Sequence, residues 1–74
     1  MKVTINAAVV QQLMATVGPS GYTKQQKLSV AAITFFKLPQ TNRNFRAALD
    51  GRFTVRDLPD GGAEIEAPSS GIDF

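Results

Sequence analysis

The run Thr41–Gly51, TNRNFRAALDG, carries a helix-capping residue type at its start and a helix-ending one at its end, and reads as a short capped helix. Thr41 suits an N-cap, and Gly51 sits where a C-terminal glycine belongs. Phe45, Ala48 and Leu49 are expected to face inward. Arg43 and Arg46 are three residues apart and share an open ridge, with Asn42 and Asn44 beside them. A helix this short has to bury its one apolar face on its neighbours. Those neighbours are an apolar helix-like run before it and a hairpin-like segment after it.

The rest of the chain supplies them. Met1–Ile5 alternates and predicts a short strand. Asn6 suits the N-cap of a first helix over 7–17, with Val10, Leu13, Met14 and Val17 on one face. Gly18 is placed to end that helix and Pro19 to bar its continuation. Thr23-Lys24-Gln25-Gln26 matches a capping box and predicts a second helix over 24–37, stopped by Pro39. Its apolar face, Leu28, Ala31, Ala32 and Phe35 widened by Val30, Ile33 and Phe36, marks it as the central helix. Arg52–Arg56 and Ala63–Ala67 alternate around Leu58-Pro59-Asp60-Gly61-Gly62, the chemistry of a hairpin turn with a bulge. The expected register sets Val55 against Ile65 and Arg56 against Glu64. Ala67–Phe74 has no periodicity. The expected organisation is one compact domain over 1–67 with a disordered tail at 68–74, whose Ile72-Asp73-Phe74 has the form of a linear docking motif.

The expected fold class is therefore α+β. Three short helices combine with a C-terminal β-hairpin and a short N-terminal strand, in winged-helix-like order. Seventy-four residues make one domain, and such a domain buries only roughly 60% of its unfolded surface. The chain has no cysteine and no histidine. That removes disulfides, thiolate metal sites, the commonest general base and the commonest metal ligand. No apolar run reaches the length of a membrane span, and no signal-peptide core follows Lys2. An intracellular protein without metal or cofactor is expected. Ser20, Ser69 and Ser70 lie in loops, and no glycine-rich phosphate loop follows a strand. These features argue against an enzyme.

Charge is divided unevenly. Residues 1–56 carry all eight basic residues and one acid, Asp50, for a net +7, whereas residues 57–74 carry five acids and no base, for a net −5. Either the basic body has an anionic partner or the two ends pair with each other in the fold. If the partner is DNA, Arg43 and Arg46 would reach base edges with Asn42 or Asn44, and Lys24, Lys27 and Arg52 would meet phosphates. Glu64 and Glu66 on the hairpin argue against a wing facing phosphates. If the partner is a protein, Lys2, Lys24, Arg43, Arg46 and Arg52 form the candidate contact set for an acidic surface. Arginine suits this role because its planar fork pairs bidentately with carboxylates. An exposed member of the Phe35/Phe36 pair, or Leu38, would add an apolar anchor. Arg56 is expected to be satisfied by Glu64.

The opening MKVTIN, the TNRNFRAALDG helix, the RFTVRDLPDGGAEIEA hairpin and the overall length resemble the small RNA polymerase-binding transcription regulators of lytic Xanthomonas phages. The resemblance spans essentially the whole chain and lies in length and element order rather than in one diagnostic motif. It implies a non-enzymatic monomer in the host bacterial cytoplasm. The partner would be the N-terminal region of the RNA polymerase beta-prime subunit, near the RNA exit channel and the beta flap. The implied effects are inhibition of promoter initiation, by weakening or displacing sigma factor, and antitermination with the elongation factor NusA as helper. Nucleic-acid contact would be secondary. The alternative is a winged-helix DNA-binding repressor.

Overall fold

A computed structural model describes residues 1–18 and 20–74. Its order is β1 (Lys2–Ile5), α1 (Ala7–Thr16), α2 (Lys24–Phe35), α3 (Asn42–Leu49), β2 (Thr54–Asp57) and β3 (Ala63–Glu66). This is the α+β arrangement expected, with three helices and an antiparallel sheet of order β1-β3-β2. Val55 lies opposite Ile65 and Arg56 opposite Glu64, the hairpin register read from the sequence, and on the other side of β3 Val3 also lies opposite Ile65. Ala63 and Ile65 turn to the core, while Glu64 and Glu66 point to the other face. The turn closes through Leu58 N–H to Gly62 O at 2.9 Å and Gly61 N–H to Leu58 O at 3.1 Å.

α2 is the hub, packing against α1, α3, β2 and β3. Its first turn also ties the fold together by side chains. The Gln26 amide completes the capping box with Thr23 and donates to Leu49 O at 3.3 Å, so one residue serves the start of α2 and the end of α3. Gln25 donates to Phe53 O at 3.1 Å, and Lys27 donates to Met14 O at 2.7 Å near the end of α1. Leu28, Ser29, Ala32 and Ile33 are buried along the helix, and the Phe36 ring lies 6.4 Å from that of Phe53. Phe35, expected on this buried face, is 39% exposed instead. The face is centred on Leu28, Ala32 and Ile33, and Phe35 falls beyond its edge.

α2 also ends at Phe35, two residues earlier than the 24–37 expected. Lys37 adopts φ +56°, its N–H donates to Thr34 O, and Leu38 N–H donates to Ile33 O at 2.9 Å. α3 ends the same way: Gly51 has φ +80° and Arg52 N–H donates to Ala47 O at 2.9 Å. Both are Schellman closures, one built on the favoured glycine and one on a lysine. Pro39 only comes after the stop that Lys37 makes. Pro19, expected to bar the continuation of α1, lies outside the described residues.

Two expectations, one for α3 and one for residues 68–74, are corrected. The buried residues of α3 are Asn44, Ala47 and Ala48, whereas Phe45 is 39% exposed. Residues 68–74, read as a disordered tail, instead lie along α3, with Ile72 in the core at 5% exposure. The two differences have one cause. Asn44 is buried because residues 72–73 supply the hydrogen bonds that its amide needs. Among the described residues no helix is long and apolar enough to cross a membrane.

A left-handed backbone costs a residue with a β-carbon roughly 1–2 kcal/mol, partly offset by the freedom that glycine has in the unfolded chain. Lys37→Gly is therefore expected to raise stability by about 0.5–1 kcal/mol. Gly51→Ala, where an added β-carbon would make ordinary contact with the Gln25 side-chain amide at 3.5 Å, is expected to lower it by about 1 kcal/mol. Urea midpoints moving in the same direction for both variants would contradict this account. Among the described residues the fully buried Ser29 hydroxyl has no hydrogen-bond partner. Ser29→Ala is expected to gain up to about 1 kcal/mol, read as a higher thermal midpoint.

Candidate functional site

Four of the five candidate cations are engaged within the chain. Lys2 Nζ lies 3.8 Å from Glu64 Oε1, which also accepts from Arg56 Nη2 at 3.1 Å. Lys24 Nζ, at the start of α2, is 2.9 Å from Asp57 Oδ1. Arg43 Nη1 is 3.6 Å from Asp73 Oδ1, and its Nε donates to Gly71 O at 3.2 Å. Arg52 Nη2 donates to Ser70 O at 3.2 Å. Each of the four ion pairs among the described residues joins residues 1–56 to residues 57–74. The second explanation of the charge asymmetry, pairing of the two ends, is thus realised in the fold. All four pairs are at least partly solvated, so each contributes about 0–1 kcal/mol at most.

Arg46 differs from the other candidates. It lies in the last turn of α3, where a cation complements the helix dipole, and no ion pair or hydrogen bond engages its side chain among the described residues. Beside it stand Asn42, Phe45, Leu49 and Asp50, and together they line an open cleft of about 410 Å³. Phe45 is there because α3 turns Asn44 inward. In an eight-residue helix, burying positions 44, 47 and 48 forces positions 42, 45, 46 and 49 toward the opposite side. The resulting surface combines an exposed aromatic ring, a half-buried leucine, an amide, an arginine and, at its edge, the Asp50 carboxylate. It can offer apolar contact and a bidentate cation to an acidic–apolar partner surface.

Around the N-terminal end of α3 the structure gathers Arg43, Arg52, Thr41 and Asn44 about residues 70–73. Thr41 Oγ1 accepts from Asn44 N–H at 3.2 Å and donates to Asp73 Oδ2 at 2.7 Å. The Asn44 amide donates to Pro39 O at 2.8 Å and to Asp73 O at 3.0 Å, and its oxygen accepts from Asp73 N–H at 2.7 Å. Asn44 is fully buried, so it has no base-reading role. Lys27, the candidate phosphate contact, is turned to Met14 O. Sequence reasoning missed Phe45 as a surface residue and Asn44 as a buried one. The available signal was the pair of alanines three and four residues after Asn44, which marks the side on which α3 approaches α2 closely.

Comparison with known proteins gives no match: no family model, no characterised protein and no solved structure aligns with the chain.

Removing the Asn44 amide leaves Pro39 O and both main-chain groups of Asp73 without their partner. Asn44→Ala is therefore expected to cost roughly 2–4 kcal/mol. Asn44→Asp is expected to cost as much, because a carboxylate cannot donate to either carbonyl and faces the Asp73 charge. A urea midpoint near that of the parent protein for either variant would show that residues 72–73 do not depend on this amide.

Proposed function

We propose that this chain is a non-catalytic transcription regulator that docks on host bacterial RNA polymerase in the cytoplasm. The contact is with the N-terminal region of the beta-prime subunit, near the beta flap. By this reading it inhibits promoter initiation through weakened or displaced sigma factor and suppresses termination with NusA. The partner's identity is supported by the sequence resemblance across the chain. The docking mode is supported by one observation: Arg46, whose side chain makes no ion pair among the described residues, stands beside the exposed Phe45 on the outer face of α3, with Asp50 at the edge of the same cleft. A desolvated aromatic next to an arginine is the usual composition of an interface hot spot. Lys2, Lys24 and Arg43 then contribute at the rim, because their partly solvated ion pairs are cheap to exchange, and Arg52 joins them by giving up its exposed bond to Ser70 O.

The winged-helix repressor is the weaker reading on the same geometry. Asn44, a candidate base-reading residue, is buried, and the hairpin presents Glu64 and Glu66 on its open face, where they would repel phosphates.

The test is equilibrium binding of the labelled chain to purified bacterial RNA polymerase and, separately, to duplex DNA at physiological salt. Binding to polymerase alone is expected. Arg46→Glu combined with Phe45→Ala should weaken it at least tenfold, about 1.4 kcal/mol, while the thermal midpoint stays close to the parent value. Retention by DNA with a steep salt dependence, and none by polymerase, would instead select the repressor.

A further inference from the structure

The seat of Ile72 and Asp73 has the features of a recognition site rather than of simple packing. Asn44 presents its carboxamide to Asp73 as a main-chain unit would. It donates to the Asp73 carbonyl at 3.0 Å and accepts from its N–H at 2.7 Å. That is the two-way exchange of a hydrogen-bonded pair in an antiparallel ladder, made here by one buried side chain. The third bond, to Pro39 O at 2.8 Å, fixes which way the amide faces. Arg52 and Arg43 continue the grip along the same strand of chain, on the carbonyls of Ser70 and Gly71. These contacts read only main chain.

Two further contacts read side chains. Ile72 fills an apolar hole and is 5% exposed. The Asp73 carboxylate receives Thr41 Oγ1–H at 2.7 Å and faces Arg43 at 3.6 Å. The polar contacts described for residues 70–73 all come from side chains of Thr41, Arg43, Asn44 and Arg52, and the segment lies beyond the last sheet bond, Ala67 N–H to Met1 O. It can therefore leave without opening a strand or a helix.

We propose that this seat is a binding site for an extended segment of a partner protein in which an apolar residue precedes an acidic one, and that residues 72–73 occupy it as an internal stand-in. The partner's segment takes the place of Ile72 and Asp73, with its main chain on the Asn44 amide and its carboxylate on Thr41 and Arg43. The site lies apart from the Phe45–Arg46 face and does not depend on polymerase being the partner.

The test uses the full chain and a fluorescent peptide, SSGIDF, which copies residues 69–74. Two variants unseat the internal segment while leaving Thr41, Arg43, Asn44 and Arg52 intact. Asp73→Lys sets a cation against Arg43. Gly71→Ala places a β-carbon at φ +82° and against the Arg52 guanidinium. The peptide is expected to bind both variants at least tenfold more tightly than the parent chain, and to raise their thermal midpoints. A peptide with lysine in place of aspartate is expected to bind none of them. Equal affinity for parent and variants, no rise in the midpoint of a destabilised variant, or undiminished binding of the lysine peptide would each overturn the proposal. Concentration-dependent dimerisation of the parent chain, abolished by Asp73→Lys, would overturn it too, by assigning the seat to a second copy.

Discussion

One buried amide sets the orientation of the third helix and, through it, the character of the surface. A side-chain amide taken out of water without partners costs several times what a satisfied one contributes. Asn44 is fully buried, so its three bonds are a condition of the fold rather than an addition to it. Meeting that condition brings residues 70–73 onto α3, seats Ile72 in the core, and commits Arg43 and Arg52 to the carbonyls alongside. It also rotates α3 so that Ala47 and Ala48, not Phe45, meet α2. Small side chains at those positions allow a close approach of two helix backbones. The aromatic ring is left outside as a consequence, next to Arg46.

The charge distribution stems from the same arrangement. A body of net +7 would repel itself, and residues 57–74 wrap it with net −5. The three places where they meet are the open face of the sheet, the start of α2 and the N-terminal end of α3. None is deeply buried, so none anchors the fold with much free energy. The pairs instead reduce the number of cations free to seek a partner. Net charge alone suggests a broad basic face, whereas among the described residues the pairing leaves Arg46 as the cation on α3 with its fork uncommitted.

Much of the fold was legible in the sequence because local chemistry decided it. Asn6, Thr23 and Thr41 cap the three helices as their types suggest, with Val9, Gln26 and Asn44 as the respective donors. The hairpin register is set by its turn and by Arg56 opposite Glu64. The first strand joins β3 because Val3 and Ile5 extend the alternation onto the same sheet. The features that escaped were decided at long range. Nothing near Asn44 in sequence announces that its amide will be satisfied by Asp73, and Asn beside Arg on a short polar helix ordinarily means a solvated ridge. Nothing near Lys37 announces a left-handed residue, since glycine is the type that usually marks one. The small polar residues of 68–71 resemble those of a disordered tail because their grip comes from arginines on other elements. The candidate site was legible in Arg46 and hidden in Phe45, for the same reason that Asn44 was misplaced.

The contact that completes the core also limits what can replace it. A partner segment entering the seat of Ile72 and Asp73 would remake the same bonds, so contacts alone give it no advantage over the internal segment. The difference is concentration. A segment held by a short connection from β3 is present at an effective concentration on the order of millimolar, and a free competitor has to exceed that. A partner that already rests on another part of the surface gains the same benefit, because its segment too becomes effectively intramolecular. The Phe45–Arg46 face, on the same helix as Asn44, is placed to supply that first hold. Engagement of the two faces by one partner would then open the seat only in that partner's presence, with residues 72–73 screening it from segments of similar sequence on other proteins.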